Sequence, residues 1–246
     1  KKGDTLQLSG IYDCGENFPS IIINASDVEV KGPAAIRYKH TDTKRGNTYG
    51  HNIASNIIGI NMDGQYRSNY HIRDIIFENY AIPYPQMQGK NGIWFRCGSD
   101  LVIQSCTFLN IPQHSIVLRQ RGANEVDRVL IKDVIVNTCC GSDVTYAGQT
   151  LALGARVDRW NPEPYYLTDL VVDNVIVDSS GDGIPNAQSK TCAKIHNGRN
   201  VTIQNSYFKG WDAEEGSSGS FMITHTTELK FFNNHVDRRL MLVGRE

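Results

Sequence analysis

Five side chains stand out for the chemistry they share. Trp94, Arg96, Arg119, Lys194 and His196 all lie in short apolar-alternating stretches: Ile93-Trp94-Phe95-Arg96, Ile116-Val117-Leu118-Arg119 and Ala193-Lys194-Ile195-His196. If Phe95, Leu118 and Ile195 point into a core, period-two alternation turns their neighbours outward. An indole can stack on a pyranose ring, and guanidinium and ammonium groups pair with carboxylates. Such a set suits an anionic sugar chain, with Asn61 and Arg121 as further contacts. Removing a proton α to a carboxylate needs a cation to neutralise the acid and a base to take the proton. Arg119 is the sharpest candidate, with Arg96 and His196 beside it, and Lys194 is the easier base by intrinsic pKa. Outward residues of any strand are often polar, so solvation alone also accounts for them.

A second constellation is acidic. Asp143 in Gly141-Ser142-Asp143, Asp182 in Ser180-Gly181-Asp182-Gly183-Ile184 and Asp212 in Gly210-Trp211-Asp212 precede three successive short apolar strands. Carboxylates at roughly 6.5–9.5 Å serve an inverting hydrolase as acid and base. With carbonyls to complete six to eight ligands, the same acids would hold Ca²⁺. Asp and Gly are equally ordinary turn residues. Two long polar insertions, His40 to Asn52 and Asp143 to Tyr166, suit either glycan contact or a protein interface.

These residues need a scaffold, and the repeat supplies one. Six segments share the order apolar, any, apolar, any, small polar, any, any, apolar: Tyr70 to Phe77, Leu101 to Phe108, Val129 to Val136, Leu170 to Val177, Val201 to Phe208 and Leu229 to Val236. Their small polar members are Asp74, Ser105, Asp133, Asn174, Asn205 and Asn233, spaced by 31, 28, 41, 31 and 28 residues. Val28-Glu29-Val30-Lys31-Gly32 is an earlier copy with glycine at that place. A second short strand precedes each segment, such as Ile58-Gly59-Ile60 or Phe221-Met222-Ile223. Repeats that cannot bury their apolar faces alone do so by stacking. The expectation is an all-β solenoid of about seven to eight coils over residues 1–246, a single domain without evident terminal caps, with the small polar column stacked at one corner.

Composition agrees. The 246 residues carry 25 basic and 26 acidic side chains and are 40% hydrophobic, with 20 Asn, 22 Gly and 8 Pro. That balance argues against disorder and against a general nucleic-acid binder. No apolar run reaches the roughly 20 residues of a membrane-spanning helix. The six cysteines (Cys14, Cys97, Cys106, Cys139, Cys140, Cys192) show no metal-site spacing and read better as small buried residues than as bridges. Two sequons, at Asn24 and Asn200, match no more often than chance allows.

Gly3-Asp4-Thr5-Leu6-Gln7-Leu8-Ser9-Gly10-Ile11-Tyr12 and Asn200-Val201-Thr202-Ile203-Gln204-Asn205-Ser206-Tyr207-Phe208 resemble the right-handed parallel β-helix proteins of the pectate-lyase-like superfamily, and the likeness runs through nearly the whole chain. It implies a right-handed parallel β-helix. That superfamily holds polysaccharide lyases, glycoside hydrolases, epimerases, phage tailspikes and adhesins. Ser115-Ile116-Val117-Leu118-Arg119-Gln120-Arg121-Gly122 is similar to the Leu-Arg-His-Gly motif of the alginate lyase and chondroitinase B family, whose motif Arg is catalytic. In that family a Lys one coil earlier takes the proton. Here Arg96 stands there and Gln120 replaces the His. Asp182-Gly183-Ile184 and Trp211-Asp212 resemble polygalacturonase motifs, without that family's later His-Gly and Arg-Ile-Lys.

The resulting expectation is a secreted or extracellular lyase (periplasm and virion surface included) acting on a uronate-containing polysaccharide. The rivals are a non-catalytic tailspike or adhesin module and an inverting glycoside hydrolase using Asp143, Asp182 and Asp212. Neither nucleic acid nor membrane is an expected partner, and no cofactor beyond Ca²⁺ is suggested. A homo-oligomer through the solenoid ends stays open, since Leu240-Met241-Leu242 finishes on a strand. Arg96 and Arg119 on adjacent coils would need an anion between them.

Overall fold

The computed structural model describes residues 3–16, 19–39, 56–80, 91–111, 114–118, 125–137, 149–154, 167–179, 191–210, 221–237 and 240–243. Among the described residues there are twenty strands and no helix. All strand pairings given by the register are parallel, and they form two sheets. One has eight short strands: Ile21–Ile23, Asn56–Ile60, Asn91–Phe95, His114–Leu118, Gln149–Leu153, Thr191–His196, Phe221–Thr224 and Leu240–Val243. The other has twelve. Its path runs through Asp4–Gln7, Val28–Tyr38, Ser68–Asn79, Gly98–Gln104, Val126–Asn137, Leu167–Asp178, Gly198–Gln204 and Thr227–Phe232. Four short strands continue the shorter members: Gly10–Asp13, Thr107–Leu109, Tyr207–Lys209 and His235–Asp237.

The chain alternates between the sheets, and each pass pairs with the pass before it. In the eight-stranded sheet Ile58, Ile93, Ile116, Leu151, Ala193 and Phe221 share one register column, and Ile60, Phe95, Leu118, Leu153, Ile195 and Ile223 share the next inward one. The main core lies between the sheets and includes every one of these residues. Tyr70 meets Phe95 edge-on at 5.6 Å between ring centroids, and Phe208 stacks on Phe221 at 4.6 Å, each pair joining the two sheets. Aromatic contacts of this kind add roughly 0.5–1.5 kcal/mol beyond area burial.

The small polar column is a corner, as expected. Asp74, Ser105, Asp133, Asn174, Asn205 and Asn233 all have φ between 52° and 59°. Asn and Asp tolerate this left-handed conformation better than other side chains. Asn174 Nδ2 donates to Asp133 Oδ1 at 2.8 Å, and Asn233 Nδ2 to Asn205 Oδ1 at 3.5 Å. Asn205 instead reaches Asp173 Oδ1, at 2.8 Å. One left-handed residue resets the strand's phase. Ile72 and Ile75, three apart, are both fully buried, and Ile76 between Ile75 and Phe77 is exposed. The position after the corner, read above as unconstrained, is therefore a core position: Ile75, Cys106, Val134 and Val175 are buried there. Ser206 holds the same place by donating to the Gln204 carbonyl at 2.7 Å and accepting from Val175 N–H at 3.0 Å.

Two features differ from the sequence reading. Gly32 does not take up the left-handed form. There the register shifts between Lys31 and Ala34, with a cis Gly32-Pro33 peptide in the extra length. A second left-handed column also precedes the first apolar position: Asp27, Asn69, Asp100, Arg128, Asp169, Asn200 and Glu228, with φ from 49° to 70°. Its members pair along the stack, Asn69 with Asp27 at 2.8 Å, and Arg128 with both Asp100 oxygens at 2.7 and 2.9 Å. The bidentate pair accounts for an arginine at a site that otherwise favours Asn and Asp.

Cys97, Cys106 and Cys192 are buried and Cys14 half-buried, whereas Cys139 and Cys140 lie outside the described residues.

Candidate functional site

One outward column of the eight-stranded sheet is in register throughout, and beside it His196 pairs with Thr224. Gly59, Trp94, Val117, Ala152, Lys194 and Met222 are aligned on consecutive strands. Their environment differs from the open ridged face expected. Trp94 is only 9% exposed, Val117 and Ala152 are buried, and with Met62 they form a second, smaller apolar cluster. The sheet is thus buried on both sides over Asn56–Ile60, Asn91–Phe95 and His114–Leu118. Trp94 is a packing residue of that cluster rather than an exposed stacking platform.

The column opens at Lys194 and Met222, both half-buried. On the same strand and the same side as Lys194 stands His196, whose Nδ1 lies 2.5 Å from Thr224 Oγ1 on the next strand. Thr224 Oγ1 also donates to the Ile195 carbonyl, at 3.4 Å. The ring's orientation is fixed by the neighbouring strand. A Thr in a strand carries no chemical signature of its own, so only the register reveals Thr224.

The strand before presents Ala152 and Gly154 beside Lys194 and His196. Gly154 has φ +89° and a Cβ built on it would fall 2.1 Å from the His196 carbonyl oxygen. No larger residue fits, so the backbone of the Lys194 strand approaches Gly154 directly at this point. Lys194 and His196 therefore border small residues on one side and Met222 and Thr224 on the other.

Asn61 and Arg96 belong to a separate group, three and more strand spacings from Lys194. Asn61 is fully buried with φ 54°, donates to the Cys97 carbonyl at 2.7 Å and accepts from Tyr70 Oη at 2.8 Å. It is a corner residue with its hydrogen-bonding groups used inside the fold, not a glycan contact. Burial pushes the Tyr70 phenol up to about 12. Arg96 Nη1 donates to the Met62 carbonyl at 2.5 Å, and Arg119, with which it was expected to share an anion, lies outside the described residues. In the same turn Arg67 pairs with both oxygens of Asp63 at 2.8 and 2.7 Å, which holds the Asp63 carboxyl down at about 2. Asp-Gly at 63–64 is a turn signal that the search for chemistry passed over.

Arg119, Arg121, Asp143, Asp182 and Asp212 lie outside the described residues, as do Gln120, the insertion His40 to Asn52, and the insertion Asp143 to Tyr166 except for residues 149–154. Among the described residues no group of three or more His, Cys, Asp or Glu is placed to hold a metal ion. The described part of the candidate site is thus Lys194, His196 and Thr224. Comparison of the chain with family models, curated proteins and solved structures found no match.

Proposed function

We propose that the two parallel sheets are faces of a right-handed parallel β-helix of the pectate-lyase-like kind, and that the protein is an extracellular lyase cleaving a uronate-containing polysaccharide by β-elimination. The observation that carries this reading is the side-by-side presentation of Lys194 and His196 from one strand, with the imidazole held by Thr224. The alternation of the chain between sheets and the left-handed corner columns support the β-helix.

In the proposed reaction Lys194, as the neutral amine, takes the proton α to the uronate carboxylate. Arg119, which follows Leu118 in the sequence, neutralises that carboxylate and so lowers the cost of the carbanion-like transition state. The electron pair forms the carbon–carbon double bond as the glycosidic carbon–oxygen bond breaks, and His196, entering the step as the imidazolium, gives its Nε2 proton to the leaving oxygen. A static imidazole is suited to that task because orientation is a large part of general acid catalysis.

The test is incubation with alginate, pectate and chondroitin, following ultraviolet absorbance of an unsaturated product and, separately, new reducing ends. A lyase gives both. Replacing Lys194 with Met should lower kcat by about 10²–10⁴-fold. Arg73→Ala, on the twelve-stranded sheet where Arg73 pairs with Glu29 and Asp74, should leave turnover within about twofold. Reducing ends without absorbance would make the protein a hydrolase. Binding without either product would make it a non-catalytic glycan module.

A further inference from the structure

Beyond the corner column, the twelve-stranded sheet presents a ridge that runs through eight consecutive passes. Ile11, Ala35, Ile76, Thr107, Ile135, Ile176, Tyr207 and His235 stand in continuous register on consecutive passes. Ile11 is 68% exposed, and Ile76, Ile135 and Ile176 between 42% and 46%. Tyr207 and His235 extend the ridge as a stacked pair, 5.1 Å between ring centroids. Single exposed apolar residues need no explanation, but four exposed isoleucines in one column, with Ala35 and Thr107 between them, make a row of the kind that marks an interaction surface.

The next outward column runs alongside: Asp13, Arg37, Glu78, Leu109, Asn137, Asp178, Lys209 and Asp237. Its charge order singles out a partner. A two-fold axis lying along the strands sets ridge on ridge and reverses the order of passes. With Leu109 on that axis, Asp13 faces Lys209 of the second copy and Arg37 faces its Asp178, each twice by symmetry. Glu78 meets Asn137, Ile76 meets Ile135 and Ile11 meets Tyr207. A shift of half a turn of the register either way is penalised. One direction sets Asp13 on Asp178. The other sets Asp13 on Asp237, Arg37 on Lys209 and Glu78 on Asp178. The next shift in the second direction sets Arg37 on Asp237 and Glu78 on Lys209, which is favourable, but it brings Leu109 onto Asp178 twice and leaves Asp13 without a counterpart.

We infer that this face binds a second copy of the chain in an antiparallel, two-fold dimer with Leu109 at its centre. The ion pairs already present, Arg37 with Glu78 at 2.7 Å and Lys209 with Asp178 at 3.9 Å, are extended by the partner's charges rather than broken. With Leu109 on the axis seven passes overlap, a strip about 29 Å long at about 4.8 Å per strand and, with two side-chain columns, about 15 Å wide. Each copy then buries about 430 Å², under the roughly 1,000 Å² of total area usual for a stable interface, so the dimer is a weak one.

Sedimentation equilibrium of the whole chain over a hundredfold range of concentration tests this directly. The wild type should pass from monomer to dimer, and Ile135→Glu should weaken association at least tenfold while leaving the circular dichroism spectrum unchanged. Oxidation of Leu109→Cys should yield a covalent dimer, whereas Ala35→Cys, whose partner across the interface is Ile176, should yield none beyond the wild-type background. A wild type that stays monomeric throughout overturns the proposal. So does a dimer that Ile135→Glu leaves intact, or equal cross-linking of the two cysteine variants. The cross-linking pair decides the matter even if Ile135→Glu fails to fold.

Discussion

The two sheets are built from the same alternation yet meet their surroundings differently. In the twelve-stranded sheet Leu167–Asp178 and Val126–Asn137 show inward residues buried and outward ones half-buried or exposed. In the eight-stranded sheet three consecutive strands are buried at every position. A strand with one wet face needs polar residues at every other place, whereas one covered on both faces runs apolar throughout. Val117 and Ile135 make the contrast concrete. Both are outward β-branched residues, but Val117 is 1% exposed and Ile135 46%. Sequence alternation reports which side of the backbone a residue takes; it does not report what lies on that side.

The comparison can be broken by charge. Val117→Asp would bury an unpaired carboxylate and should cost more than about 4 kcal/mol, enough to prevent folding. Ile135→Glu, measured on the monomer, should cost about 1 kcal/mol or less. Urea midpoints for the two variants measure the difference, and similar losses would mean that the outer face of the eight-stranded sheet is no second core.

A smaller effect is expected at the corners, which belong to the twelve-stranded sheet. Asn174→Val places a β-branched side chain at φ 52° and should destabilise by roughly 1–2 kcal/mol. Asn174→Gly should be milder, since glycine takes that conformation freely although the bond to Asp133 is lost. Gly and Val variants of equal stability would show that the left-handed geometry is not what selects Asn.

The smallest effect is one of acidity, in the turn beside the eight-stranded sheet. Asp63 is depressed to about 2 by Arg67. Its contribution to stability is complete above the ordinary carboxylate pKa near 4 and is lost as pH falls through about 2. Asp63→Asn should therefore flatten the dependence of stability on pH between about 4 and 2 and leave it unchanged near neutrality in shape. The pair is partly exposed, so high salt should shrink the effect.

Much of the all-β architecture was legible because its signals are local and repeated. Seven short strands and six corner residues follow from a pattern that recurs at nearly constant spacing, and the register places all six corners together. The strand Ile21–Ile23 was missed because it stands before the first complete repeat, and the second left-handed column because Arg128 and Glu228 hide it among Asn and Asp. The site was less legible. Lys194 and His196 do share a side of one strand, since alternation decides that. Trp94, Asn61 and Arg96 proved to be engaged in packing or backbone hydrogen bonds, which depend on residues distant in sequence. The pairing of His196 with Thr224, 28 residues on, required the register itself.

The register also bears on how such a chain changes length through evolution. Among the described residues each strand pairs with strands of the passes before and after it, and successive corners present the same φ to the next strand. Duplicating or deleting one complete pass would rejoin two surfaces that already match. The insertion of a few residues within a strand would instead turn one half of a pass inside out. Gain and loss of whole repeats is thus the cheap route for this architecture. The ridge makes that route consequential: one pass more or less shifts every charge flanking it by one place, and with it the choice of partner.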